Sequence, residues 1–587
     1  MKKIYLVLGL LFLCAGGVLL YSALVVSNNK YIDLGKLTVS NKSIETYTIQ
    51  DYEDFEKDYL NNQLEDVYIT KFLYDGAGPY KTYDLDDFIE NGNDYEVGVY
   101  DGTVINIHDV GVYEFTGELT GGMIAINTNG LKGEIHIVLN DAILDTDSKK
   151  VPAIYVYNKD ITYSDCTVVI EAKDGTANTI NGGKFKKVSL LASEELDNYQ
   201  SKYSSEQLTN YTTYTKYYGV YTKEQIEKIL FATVTADKED LADGDPYYYY
   251  KGSGAISSDI DLTFEGKGSL TVLSKNKEGI ESKGHLTFSG GVGDYTITSF
   301  DDCLNTTTDD SENSNAHNDL TINVHSLVAI VDLEADEGDA IDSNGTLKID
   351  GGTVIAIAKP GGDAGIDSEK GTLINGGTVI ATGDMLDAIS NESKQTFAVF
   401  NGKFLANQLV ALLDSNDKVV FAYQTDRTYS NLVYSSSSFV DGTYHLYQDG
   451  SMEGNSDHGF YTSGTYKKGT QMGYTTIGNM MGGRGQAPEG NPPERPDGES
   501  GEPPEGTPPE KPNGENGQPP EGNPPEKPNG DNGQPPEGNP PERPDGEVPI
   551  GGMPGMEQNI NPVNADFTIN GISNVFQGVS KLVTNEE

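Results

Sequence analysis

The chain contains no tryptophan, three cysteines and four arginines in 587 residues. Without tryptophan, flat aromatic contacts fall to 36 tyrosines and 18 phenylalanines. Cys14 lies in an N-terminal apolar run, and Cys166 and Cys303 sit in separate repeats, so neither a disulfide framework nor a Cys/His metal site is signalled. Arg427, Arg484, Arg495 and Arg543 all fall outside the repeats, and 90 acidic against 41 basic residues give a net charge of −49. Phosphate recognition needs clustered Lys and Arg, which argues against nucleic acid as a partner. Cations and neutral sugars remain compatible with this balance.

What the chain has is repetition. Gly338 to Asp387 states nearly the same phrase twice, Asp-Ala-Ile-Asp-Ser-Asn-Gly-Thr-Leu-Lys-Ile-Asp-Gly-Gly-Thr-Val-Ile-Ala and Asp-Ala-Gly-Ile-Asp-Ser-Glu-Lys-Gly-Thr-Leu-Ile-Asn-Gly-Gly-Thr-Val-Ile-Ala. Branched apolar anchors at Ile256, Ile280, Leu304, Ile341, Ile366 and Ile389 are spaced by 24, 24, 37, 25 and 23 residues, the 37 absorbing a polar insert at 306–318. Each copy holds three short Ile/Val/Thr-rich runs bounded by Gly, Asn or Asp, too short for helices. Three strands per repeat predict one turn of a parallel β-helix, each strand pairing with its copy in the next. Fainter copies stand upstream at Ala125-Ile126, Ala153-Ile154 and Thr179-Ile180.

The remaining segments read differently. Residues 1–27 open with Met-Lys-Lys and run apolar from Ile4 to Val26, long enough to cross a bilayer as a helix, which predicts a signal anchor with the bulk of the chain extracellular. The alternative is a cleaved signal peptide and secretion. Residues 28–99 form an N-terminal linker and cap, 100–183 irregular first repeats, 184–251 a Tyr/Lys/Glu-rich insertion, 252–395 the regular repeats, and 396–483 a terminal repeat and β cap. Residues 484–547 are four Pro/Gly/Glu-rich 16-residue units with too few apolar side chains for a packed core, which predicts a disordered spacer. The C-terminal segment, 548–587, shows a weak amphipathic patch around Phe567 to Val583.

Stacked strands turn equivalent positions into columns about 4.8 Å apart. One residue after the anchor the outward column reads Ser257, Glu281, Asn305, Asp342, Asp367 and Ser390. Two residues before it stand Gly254, Glu278, Asp302, Asp339, Ala364 and Asp387, with Asp301, Asp363 and Asp384 close by. Two carboxylates ~5 Å apart repel by roughly 3 kcal/mol at an effective dielectric of 20. A hard divalent cation resolves that conflict. Calcium accepts carboxylate, carbonyl and amide oxygens in irregular geometry, which makes these acids candidate calcium ligands. The bland alternative is that each Asp or Asn caps its own turn.

The phrases at 253–272, 279–291 and 338–354 resemble the clostridial carbohydrate-binding domain-containing family, over roughly residues 100–480 without the insertion. That resemblance implies a right-handed parallel β-helix, bound calcium ions and affinity for polysaccharides, including acidic ones. It is related in shape to polysaccharide lyases. On this reading the chain binds a cellulose- or pectin-like polysaccharide, with Tyr217, Tyr218, Tyr221, Tyr247 and Tyr248 as stacking candidates and Lys283 and Lys348 as polar contacts. For the tyrosines, packing of the insertion is the competing account. A calcium-dependent lyase acting by β-elimination is the second reading, with Lys283, Lys348 or Lys370 as the base. A cell-surface scaffold or adhesin is the third.

Overall fold

The anchors of successive repeats lie side by side. In a computed structural model, Ile256 pairs with Ile280, Ile280 with Leu304, and Leu304 with Ile341, all in parallel register. The structure describes residues 29–48, 51–61, 63–71, 102–146, 152–158, 164–182, 188–189, 247–248, 254–274, 277–307, 318–335, 337–461, 463–478, 562 and 564–582.

Three parallel ladders follow from the three runs per repeat. The first belongs to a nine-stranded sheet that ends with Gly122–Asn127, Ile154–Tyr157, Ile256–Ser258, Ile280–Ser282, Leu304–Thr306 and Ile341–Ser343. The second passes through Gly133–Asp145, Cys166–Ala172, Leu262–Glu265, Leu286–Phe288 and the first half of Leu320–Val331. The third passes through Ala177–Gly182, Ser269–Ser274, Asp294–Ser299, the second half of Leu320–Val331, Leu347–Ile357 and Thr378–Gly383. Ile154 pairs directly with Ile256. The expected insertion at 184–251 lies outside the described residues except for Val188–Ser189 and Tyr247–Tyr248, which pair antiparallel with each other.

Alternation sends one side of each strand into a single apolar interior. Ile154, Ile256, Ile280, Leu304 and Ile341 are all fully buried, as are Leu262, Leu286, Leu320 and Leu347 to within 1 %. Phe264 stacks on Phe288 at 4.9 Å, with Tyr295 edge-on to both. At one corner the inward hydroxyls satisfy each other: Thr306 Oγ1 donates to Asn318 O (2.6 Å), and Ser343 Oγ donates to the same carbonyl (3.0 Å). The Gly-Gly pair of the repeated phrase serves another corner. Gly352 and Gly377 hold φ of 95° and 87°, and a Cβ on Gly377 would lie 2.4 Å from Gly352 O. Only glycine combines that backbone with that approach.

The expected right-handed parallel β-helix is corrected. The structure is all-β, but its core is a closed arrangement of parallel strands, and a right-handed β-helix is not shown. The parallel order also breaks at both ends. Val67–Thr70 pairs antiparallel with Thr103–Ile107. At the other end Thr378–Gly383 and Phe397–Phe404 both pair antiparallel with Tyr429–Ser436. The physical reason is that a repeat specifies which strand neighbours which; it does not specify the sense of winding or how the last strand edges are covered.

The last sheet contains a strand from the far end of the chain. Ser573–Lys581 pairs parallel with Phe397–Phe404 and antiparallel with Thr476–Gly478 and Thr470–Gly473. Phe567–Ile569 pairs antiparallel with Gly442–Gln448. Phe567 and Phe576 are buried in a second apolar core with Phe400, Phe421 and Tyr474.

Arg427 joins this end to the repeats. Its buried guanidinium donates from Nη1 to Val331 O (2.6 Å) and Ala358 O (3.2 Å), and from Nε to Asp426 Oδ1 (3.1 Å). Those carbonyls lie at the end of Leu320–Val331 and just after Leu347–Ile357. Replacing Arg427 with Ala removes a buried, charged donor from both, at about 1–3 kcal/mol each. Urea unfolding of Arg427→Ala is expected to show a loss of about 3 kcal/mol, and Arg427→Lys only partial recovery, because one ammonium cannot reproduce the planar fork.

The single-pass membrane placement and the membrane as a partner are also corrected. Among the described residues no helix is long and apolar enough to cross a membrane. The expected anchor at 1–27 lies outside the described residues.

Candidate functional site

The outward face of the nine-stranded sheet carries the two acidic columns, because strand alternation points residues 281, 305 and 342 away from the interior. Glu281, Asn305 and Asp342 are opposite one another in register. Past Ile341–Ser343 the next phrase adds Asp367, whose N–H donates to Ile341 O (2.8 Å).

The columns divide into two chemically different ends. At Glu278 and Glu281 a cation is built in: Lys277 Nζ lies 2.8 Å from Glu278 Oε1 and 3.5 Å from Glu281 Oε2. Glu281 Oε1 also accepts from Gly254 N–H (3.1 Å) and the Ser257 hydroxyl. Burial raises the Glu278 carboxyl well above the ordinary range, and the Glu281 charge adds to it. Lys277 was not among the residues singled out from the sequence.

The other end gathers three aspartates. Asp339, Asp342 and Asp367 each place one carboxylate oxygen within 4.8 Å of the others, all three half-buried. Among the described residues none of the three is ion-paired to Lys or Arg. Burial, then the Asp302 charge, pushes Asp339 up to about 8; the same two causes and Asp367 push Asp342 up to about 8. Burial, followed by the adjoining Asp387 carboxyl, pushes Asp367 up to about 7.

Two positions that interrupt the columns in sequence hold this cluster together. Asn305 Nδ2 donates to Asp302 Oδ2 (2.5 Å) and Asp342 Oδ2 (3.2 Å), while its own Oδ1 is buried and unpartnered. Ala364 donates its N–H to Asp339 Oδ1, and Asp339 donates its N–H to Asp302 Oδ1 (2.8 Å). The signal available in the sequence was a side-chain amide donor and a backbone N–H standing where a further carboxylate would overcrowd the row.

Other predicted residues make further contacts. Asp384 caps a turn, accepting from Gly361 N–H (2.8 Å) and the Ser430 hydroxyl (2.8 Å). Asp363 presents its backbone carbonyl to Asp384 N–H (2.8 Å) and Met385 N–H (3.1 Å), and burial raises its carboxyl. Asp301 uses its carbonyl to accept the Ser299 hydroxyl (2.5 Å). Lys283 and Lys348 are engaged by Asp259 (3.3 Å) and Asp319 (2.8 Å). Tyr217, Tyr218 and Tyr221 lie outside the described residues, and Tyr247–Tyr248 is described only as a short strand. A tyrosine not anticipated from the sequence, Tyr155, stands opposite Ser257 at the covered end of this face, with its hydroxyl on Asp259 Oδ2 (3.1 Å).

A closed stack of parallel strands with one sheet face carrying a half-buried acidic row defines an all-β repeat protein built around an oxygen-rich surface. A family model described as carbohydrate-binding domain-containing protein matches residues 101–209 and 219–422, more than half of the chain. The chain belongs to that family, and carbohydrate binding is its role. No curated protein matches the chain. No solved structure matches it either.

Proposed function

We propose that the acidic end of the nine-stranded face holds calcium through Asp339, Asp342 and Asp367, and that the ion bridges the protein to the carboxylates of an acidic, pectin-like polysaccharide. The observation carrying this reading is the approach of three half-buried carboxylates to within 4.8 Å, with none of them ion-paired to Lys or Arg among the described residues. Carboxylates so placed repel unless a proton or a cation lies among them, and calcium tolerates the irregular ring of carboxylate and carbonyl oxygens available here. Asp302, Asp387 and the orphaned Asn305 Oδ1 supply further oxygens at its margin. A uronate offers such an ion charged oxygens where a neutral glycan such as cellulose offers only hydroxyls, so the acidic class is favoured.

The full chain, stripped of metal, is expected to be retained on immobilised polygalacturonate when calcium is supplied and released by chelator, with weak retention on cellulose in either condition. Asp339→Asn combined with Asp367→Asn should abolish the calcium-dependent fraction. Retention indifferent to chelator would refute the bridging role. Appearance of unsaturated uronide product in the same mixture would favour the lyase reading instead.

A further inference from the structure

The large sheet carries a separate group of ligand-type side chains near its start. His136 lies on Gly133–Asp145, Glu171 on Cys166–Ala172 and Glu265 on Leu262–Glu265. Register places Glu171 beside Glu265 on adjacent parallel strands, and His136 two residues before Val138, the partner of Glu171 on the other side. His136 Nε2 is 3.1 Å from Glu171 Oε2 and 3.7 Å from Glu265 Oε1, and the three ligand atoms lie within 4.8 Å of one another.

Two glutamates side by side on one face repel, and the nearby lysine does not relieve them. Lys173 is held by Glu114 at 2.7 Å, and Asn140 donates to the same carboxylate at 2.6 Å. On the other side of the imidazole, Glu134 Oε1 lies 3.3 Å from Nδ1. A carboxylate there retains the proton on Nδ1 and turns the Nε2 lone pair toward Glu171 and Glu265, the outer-sphere arrangement that orients a metal-binding histidine. In that tautomer one nitrogen and two carboxylate oxygens converge on a position a cation would fill. Bonds of about 2.0–2.2 Å in a tetrahedral zinc site separate neighbouring ligand atoms by roughly 3.4 Å, and the observed 3.1 and 3.7 Å bracket that edge. Imidazole nitrogen selects a borderline transition ion over calcium. The side chains are 19 %, 30 % and 42 % exposed for His136, Glu171 and Glu265, so an ion can enter and a fourth ligand can come from solvent.

We propose that His136, Glu171 and Glu265 bind a zinc-class divalent cation in an open three-ligand site, with Glu134 as the orienting partner. The site ties three successive strands together and is independent of the acidic row. The competing state is an imidazolium clamped between carboxylates with no ion.

The test titrates metal-stripped full chain with Co2+, reading its visible d–d absorption, and then competes with Zn2+. One equivalent of tetrahedral Co2+ signal is expected, displaced by Zn2+ and not by excess calcium. His136→Gln and Glu171→Gln should each abolish it with circular dichroism unchanged, and Glu134→Gln should weaken binding by about tenfold. Asp339→Asn with Asp367→Asn should leave it intact. Absence of the signal in the unmutated protein, or its survival in His136→Gln, overturns the proposal; so does its loss in the Asp339/Asp367 variant alone.

Discussion

A chain ended after Gly478 is expected to lose its C-terminal sheet. The truncation removes Phe567, Ile569, Val575, Phe576 and Val579, all buried. Burial of each such side chain contributes about 1.5–3 kcal/mol, so the loss is on the order of 10 kcal/mol, comparable to the whole stability of a domain. It also bares the edge of Phe397–Phe404 and one face of Phe400, which packs on Phe567 at 5.6 Å and stacks on Phe576 at 5.7 Å. An unpaired apolar strand edge invites self-association. The expected result is a truncated chain that aggregates or melts far below the full one. Internal deletion of residues 484–547 supplies the control. It keeps the returning strand and shortens the closing loop roughly fourfold, which favours the folded state by about 1 kcal/mol. If the truncated chain and the deletion melt alike, the strand is not holding the sheet.

That strand shows where reading the sequence stopped working. The anchors Ile256, Ile280, Leu304 and Ile341 are legible because a one-residue slip would turn the whole apolar set outward, so pattern and register are one constraint. Phe567 to Val583 carries only a weak amphipathic signal, since its meaning depends on strands about 100 and 180 residues earlier in the chain. Upstream, the faint repeats mislead by position. Ile124, not Ile126, pairs with Ile154, and Ile180 belongs to another ladder, opposite Val272 and Leu144. The columns of acids could be counted from the sequence, but not their partition. Lys277 sits three residues before an anchor, where alternation alone gives no reason for it to neutralise Glu278 and Glu281. Asn305 and Ala364 break the acidic columns as letters and complete them as hydrogen-bond donors.

The calcium-free protein is expected to become less stable as pH rises from about 5 to 8, and calcium to reverse that trend. Asp339 and Asp342 titrate at about 8 in the folded chain and Asp367 at about 7, against roughly 3.9 for an unfolded aspartate. Between those values the native state holds more protons than the unfolded state, so the slope of unfolding free energy with pH is negative. The stabilising protonation is complete below the unfolded pKa and lost as pH climbs through the folded one. The three groups share one field, so their effects do not sum; a total of about 2–4 kcal/mol across the window is the expected scale. On the proposed reading calcium would bind the ionised cluster and expel its protons, so its affinity is expected to rise over the same interval and level off above about pH 8. At a hundredfold excess over its dissociation constant it adds about 2.7 kcal/mol. Asp339→Asn separates the two effects. The amide oxygen can still accept from Ala364 N–H, while one charge is gone. At pH 8 the variant should melt above the unmutated protein without calcium and below it with calcium, a crossing measurable by thermal denaturation at two calcium levels. A calcium-free melting temperature that stays flat or climbs from pH 5 to 8, or an undiminished calcium increment in Asp339→Asn, would return these acids to ordinary turn capping.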